Sequence, residues 1–284
     1  MTTNSVLYET PGPQAKRRSL IGSAVVGLAL AGVLAWVLVR LGTQGQLTAE
    51  KWGPVLNPAD GTFTALWSLL GRGLANTAAA AALAMVFSLV IGTLLAVTRL
   101  VSAPWYRWIV VGVVEVLRGV PVVIAIFFAA RVLPEFGLQL PTLWFLVIGL
   151  TAYNSVIIAE IVRAGILALP KGQSEAAYAI GLRRGQVLTT VLLPQAFRAM
   201  MPALISQLVV IVKDTSLGFI IAYVDVLRQA QVIIQNLNNP IQMFFVVGVL
   251  FIVINYALSR VATYTERRLS RGRKGSTVVT AEVD

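Results

Sequence analysis

The sequence predicts an all-α integral membrane protein with six transmembrane helices and a cytoplasmic helix between two of them. Three observations carry that class. Hydrophobic residues are 57% of the 284 and charged residues only 12%, more apolar surface than a soluble domain hides. Six apolar stretches are long enough to cross the roughly 30 Å hydrocarbon core as helices of about 20 residues. Their richness in Ala, Leu and Val favours helices over barrel strands.

Other classes fall away on composition. Cysteine and histidine are both absent, which removes disulfides, thiol nucleophiles and the commonest zinc ligands. A net charge of +11 is, in a membrane chain, the mark of cytoplasmic loops rather than of nucleic-acid binding.

In order, the spans are placed near 20–40, 73–98, 108–130, 142–162, 202–224 and 241–262. With the N-terminus in the cytoplasm, 16 Lys and Arg residues fall inside and 5 outside, Arg118 and Lys213 lying within spans. The inverted topology breaks the positive-inside rule. The first span follows Lys16–Arg18 as a signal peptide would, but its apolar run is too long and no small-x-small cleavage site follows, so it reads as a retained anchor. Residues 41–71 read as an external segment, made loop-like by Pro54, Pro58 and Gly61. Within it 63–70 is a candidate interfacial helix, with Phe63, Leu66, Trp67 and Leu70 on one face. Trp105, Tyr106, Trp108 and Trp144 near span ends read as interface anchors. Segment 225–239 reads equally as a binding-protein contact or as a re-entrant or lateral helix. The polar stretch 270–284 reads as a disordered tail.

About forty residues separate Arg163 from Pro202, more than a plain connector needs. Pro170 and Gly172 predict a turn. Ser174 then fits an N-cap, with Glu175 in the first turn where the helix dipole favours an acid. Ala176, Ala177 and Ala179 are strong helix formers with little bulk. Gly181 fits a helix C-cap. A second helical stretch carries Val187, Leu188, Val191 and Leu192 on one face. Pro194 is expected to break or kink it, and Pro202 to restart the chain into the membrane. A short helix with a small-residue side lies closely in a groove on another protein.

The spacing is specific. Glu175-Ala176-Ala177, then Gly181, then Val191-x-Leu193-Pro194 reproduce the pattern EAA-x3-G-x9-I-x-LP with Val for Ile. This resembles the coupling loop of binding-protein-dependent ABC importer permeases. LRGVPVVIAIFF (117–128), AYNSVIIAEIVRAGILALPKGQSEAA (152–177) and IVKDTSLGFIIAYVDVL (211–227) are similar to segments of the polar amino acid subfamily. The extra first span and the opening VLYETPGPQAKRR resemble the larger permease subunit of actinobacterial glutamate importers.

The resemblance implies a permease core of five spans over 72–265, preceded by a cytoplasmic tail (1–19), the anchor and the external segment, and followed by a cytoplasmic tail (266–284). It implies a second permease subunit, two ATPase subunits below and an extracellular solute-binding protein above. It assigns ATPase coupling to Ser174, Glu175, Ala176, Ala177, Gly181 and Pro194. No G-x-x-x-x-G-K-[ST] loop is present, since GRKGST (272–277) does not fit it. ATP and Mg are therefore expected on the partner ATPase, with no cofactor in this chain and no enzymatic activity of its own.

Ionisable groups at bilayer depth are functional candidates by default. Glu115 with Arg118, Asn154 with Ser155, Lys213 with Asp214, and Thr215 with Ser216 fall near mid-depth. Glu115 and Arg118 share a helical face; Lys213 and Asp214 point about 100° apart. Gly119 and Pro121 loosen the helix after Arg118, as in discontinuous transporter helices. Arg118 or Lys213 would suit a substrate carboxylate and Glu115 or Asp214 its ammonium; structural ion pairs or gate contacts explain the same charges. Glu160 and Arg163, near the cytoplasmic exit, are expected to form a structural or gating pair.

The function expected is the permease subunit of an ATP-driven importer of a polar amino acid in the bacterial cell membrane, glutamate first, then glutamine or a basic amino acid. An ion-coupled secondary transporter with Glu115, Asp214 and Glu160 as relays is the competing class. A membrane enzyme lacks any catalytic motif.

Overall fold

The computed structural model describes residues 12–101 and 104–271. Most of the opening VLYETPGPQAKRR, the 272–284 stretch with GRKGST, and the side chains of Trp105 and Arg107 lie outside the described residues. Among the described residues every regular element is helical.

The chain divides at Phe63 into two units. The first holds α1 (Pro13–Thr43) and α2 (Ala49–Leu56). Pro13 at the first helical position fits a site whose N–H has no intrahelical partner. The helix starts within the expected N-terminal tail, and none of its residues is buried. Past it, Trp52 Nε1 donates to the Gln46 carbonyl at 3.0 Å, tying α2 to the preceding turn. Asp60 accepts from the Thr62 hydroxyl and amide, which hold its carboxyl below the usual range.

The second unit begins with α3 (Phe63–Val101). At 39 residues it is about 58 Å long, more than the hydrocarbon core requires. Segment 63–70 is its first two turns and not a separate interfacial helix. The reason is packing: Leu66 and Leu70 open a buried stripe that continues through Gly73, Thr77, Ala80, Ala84, Ser88, Gly92 and Ala96. Small residues at this spacing let helices approach closely where lipid supplies no hydrophobic drive. A Cβ on Gly92 would stand 2.6 Å from the Ser155 carbonyl oxygen, and one on Gly73 2.8 Å from Val226 Cα.

The expected span 108–130, loosened at Gly119 and Pro121, is two helices, α4 (Pro104–Gly119) and α5 (Val122–Val132), bent by 100°. Pro121 has no N–H to donate and bars Val120 from the helical region, so the helix ends there and restarts. Pro121 itself is extended (φ −56°, ψ 136°) and caps α5. With this pair counted as one span, the described residues hold six stretches able to cross a membrane.

Helix α6 (Thr142–Leu167) is the centre of the second unit. It buries residues on most of its circumference, among them Leu146, Leu150, Val156, Ile158 and Val162. Gly149 sits against α5 so tightly that a Cβ would come 2.5 Å from Ile126 Cα. After α6 come α7 (Lys171–Ala179), the single turn α8 (Arg184–Gln186), a π turn (Val187–Leu192) and α9 (Leu193–Asp214). Pro202 lies inside α9 rather than at its start. Its lost hydrogen bond would have gone to the carbonyl of Arg198, an exposed residue, where the loss is tolerated. A 3-10 turn (Thr215–Ile221), α10 (Val226–Leu237) and α11 (Pro240–Arg271) complete the chain. α10 is an amphipathic helix burying Val226, Gln229, Ala230 and Ile233. Asp225 caps it, accepting from the Arg228 amide at 2.8 Å.

Candidate functional site

The loop between α6 and α9 folds into a rod, α7, backed by a short turn and a π turn. Pro170 is its N-cap, so Ser174 is an interior residue and not the expected cap; its hydroxyl donates to the Lys171 carbonyl at 2.8 Å. Glu175 therefore lies past the first turn, where the dipole argument for an acid no longer applies. Pro170 wins because its fixed φ and missing N–H fit a helix start.

Gly181 ends the rod as its sequence position predicts. Its φ is +83°, its amide donates to the Tyr178 carbonyl at 2.9 Å, and the Leu182 amide donates to the Ala177 carbonyl at 3.2 Å. This is the Schellman arrangement. Of the EAA triplet only Ala177 is buried, at 4% exposure. Glu175, Ala176, Tyr178, Ala179 and Ile180 face outward, Ile180 at 78%. Tyr178 and Ile180 escape the sequence reading because neither belongs to the spaced pattern. Together with the alanines they give an exposed apolar rim of the kind that marks a protein contact.

The mount is the turn behind the rod. Val187 and Leu188 are buried and Thr189 and Thr190 exposed, so the amphipathic face is real, but the turn is π and not α. The Leu193 amide reaches back to the Leu188 carbonyl. Pro194 supplies a cause: its ring clashes with the carbonyl four residues back, and a widened turn relieves the clash. Gln195 Nε2 donates to Gln173 Oε1 at 3.1 Å, and an Arg184 guanidinium N–H to the Leu100 carbonyl at 2.6 Å. A cleft of about 210 Å³ between Leu100, Ile166, Tyr178 and Leu188 adjoins these contacts. These contacts tie the rod to α9 and the turn just past it to the end of α3.

Above this mount Glu160 holds two arginines. Its Oε2 accepts from Arg163 at 2.8–2.9 Å, and its Oε1 pairs with Arg99 of α3. The expected pair is therefore a three-residue bridge. Arg99 is missed in the sequence because 61 residues separate it from Glu160.

The mid-span candidates divide into four settings. Asn154 and Ser155 are buried; Gln207 Nε2 donates to Asn154 Oδ1 at 2.7 Å, bridging α9 and α6. Thr215 and Ser216 sit where α9 becomes a 3-10 turn, their hydroxyls donating to the carbonyls of Val212 and Lys213. Glu115 and Arg118 are exposed on α4, whose buried Val110 and Val114 pack with Val156 of α6. Lys213 is exposed and Asp214 half-buried. Among the described residues no ion pair joins Glu115 to Arg118 or Lys213 to Asp214.

The family described as "Binding-protein-dependent transport system inner membrane component" matches residues 88–271. The glutamate transport system permease protein GluD of Corynebacterium glutamicum is 39% identical over 242 residues, covering 84% of this chain and 87% of that protein. The L-cystine transport system permease protein TcyB of Bacillus subtilis is 32% identical, covering 75% and 92%. In a crystal structure of an amino acid ABC transporter with histidines, one chain is 26% identical and superposes at a TM-score of 0.67, over 73% of this chain and 97% of that one.

Proposed function

The chain belongs to the binding-protein-dependent transport system inner membrane components, and from that premise we propose that it is the permease subunit of an ATP-driven importer of a polar amino acid, with glutamate as substrate. The observation that carries the mechanism is the outward-facing rod Glu175–Ile180, capped by Gly181, tied to α9 through Gln173 and Gln195 and followed by Arg184, which is bonded to the end of α3. An ATPase dimer grips this rod from the cytoplasm. Closure of the dimer around ATP and Mg pushes α7, and the π turn and Arg184 pass the displacement to the spans.

ATP hydrolysis belongs to the partner chains. A second permease subunit completes the path, and an extracellular solute-binding protein delivers the amino acid. Both termini lie in the cytoplasm of a bacterial cell, as the 16-to-5 split of basic residues favours. Glu115 and Arg118 face away from this chain's own core, so they serve the path by facing the second permease. Asn154 and Ser155, being buried, shape the path rather than touch solute. Lys213, Asp214, Thr215 and Ser216 sit where α9 passes into the 3-10 turn. The substrate assignment is supported by the identity to a glutamate permease.

The test is reconstitution with ATPase, second permease and binding protein in vesicles. Labelled glutamate should accumulate only with ATP, and unlabelled glutamate should compete better than glutamine, cystine or arginine. Accumulation driven by a proton gradient without ATP overturns the proposal. Stronger competition by another amino acid overturns the substrate alone.

A further inference from the structure

We propose that the C-terminal part of α11 is a binding site for an anionic phospholipid, its phosphate on Arg260 and Arg267 and its acyl chain along the apolar face beside them. Arg260, Thr263, Tyr264 and Arg267 recur at helical spacing and share one face. With Val261 they line a hollow of about 340 Å³. Arg260 makes no ion pair among the described residues. Its guanidinium lies 5.9 Å from the ring centroid of Tyr256, which sets it at the boundary between apolar and polar zones.

The same face continues into the membrane. Phe245, Val249, Ile252, Val253 and Tyr256 are all exposed, from 41% to 68%. From Phe245 to Tyr256 the helix rises about 16 Å, the length scale of an acyl chain within one leaflet. An acidic protein surface or a free phosphate would match the arginines and leave the apolar track uncovered. A molecule with a negative head and a long apolar tail matches both, and juxtamembrane arginines attract such lipids. The inference does not depend on what the chain transports.

The test uses the full-length chain in detergent, titrated with phosphatidylglycerol or phosphatidylcholine and read by native mass spectrometry. Phosphatidylglycerol should be retained preferentially. Arg260→Gln with Arg267→Gln should weaken its retention about twenty-five-fold, from about fivefold per arginine, with phosphatidylcholine unchanged. Arg260→Lys with Arg267→Lys should keep most of it. Arg131→Gln is the control, because Arg131 also lies over an aromatic ring, Phe127, at 5.6 Å. If the double variant fails to insert, each single Gln variant should still lose about fivefold. Equal retention of both lipids, an equal loss in the Arg131 control, or displacement by millimolar inorganic phosphate would overturn the proposal. So would capture of an acidic protein with no lipid preference.

Discussion

The amide of Leu182 donates to the carbonyl of Ala177 at 3.2 Å, across Gly181 at φ +83°. A β-carbon at 181 meets nothing within 4 Å, so substitution is costly through the backbone and not through contact. Gly181→Asp should fray the C-terminal end of the rod by about 0.3–1 kcal/mol, its charge standing at the negative end of the helix dipole, and lower ATP-driven uptake at least tenfold, with insertion intact. Gly181→Asn should retain most uptake, since Asn tolerates the left-handed region. Uptake in reconstituted vesicles, normalised to ATPase rate, checks both; full transport by the Asp variant would remove this role for the loop.

Gly149 and Gly112 give opposite outcomes for one substitution. Gly149→Ala drives a methyl to 2.5 Å from Ile126 Cα, a backbone atom that cannot rotate away. It should destabilise the chain by about 1–3 kcal/mol. Gly112→Ala meets nothing within 4 Å and should be neutral or slightly stabilising, because alanine is the better helix former. Thermal unfolding in detergent distinguishes the two.

Gln207 and Asn154 join α9 to α6 through a buried bond of 2.7 Å. A double-mutant cycle with Gln207→Leu and Asn154→Leu should give a coupling of about 0.6–1.7 kcal/mol, the range for hydrogen bonds between membrane helices. A coupling of zero would mean that each amide finds another partner when the first is removed.

Asp225 makes the docking of α10 dependent on pH. Burial pushes its carboxyl up to about 6 from the ordinary 3.8, against hydrogen bonds from the backbone amides of Arg228 and Leu227. Docking therefore favours the protonated acid. Its stabilisation is complete below about pH 4 and is lost as pH rises through about 6. Asp225→Asn keeps an acceptor for the Arg228 amide and cannot ionise. At pH 7 it should dock α10 more tightly by an amount of order 2 kcal/mol. Slower hydrogen exchange of α10 amides in the variant at pH 7, and no difference at pH 4, would check the sign.

The sequence located the rod because its features are local. A glycine C-cap and a proline each act within one turn of chain, so Gly181 and the distortion before Pro194 were readable from spacing. Ser174 misled as an N-cap because Pro170, four residues earlier, competes for the same start and fixes its own φ. The span count was readable for a related reason: the length of an apolar run is set by bilayer thickness and not by neighbours. The bend at Pro121 was readable as a loosening, but not as 100°, since an angle depends on what α5 packs against.

What the sequence by itself determined is the membrane class, the six apolar stretches, the family pattern at 175–194 and the charge asymmetry. All of these follow from residue identity and short-range spacing. Only the tertiary structure decided that Glu160 bridges Arg99 as well as Arg163, that Asn154 answers to Gln207, and that 63–70 belongs to α3. Those outcomes rest on contacts between residues far apart in sequence. In lipid such contacts are selected by close packing of small residues and by satisfying polar groups, neither of which a one-dimensional pattern encodes.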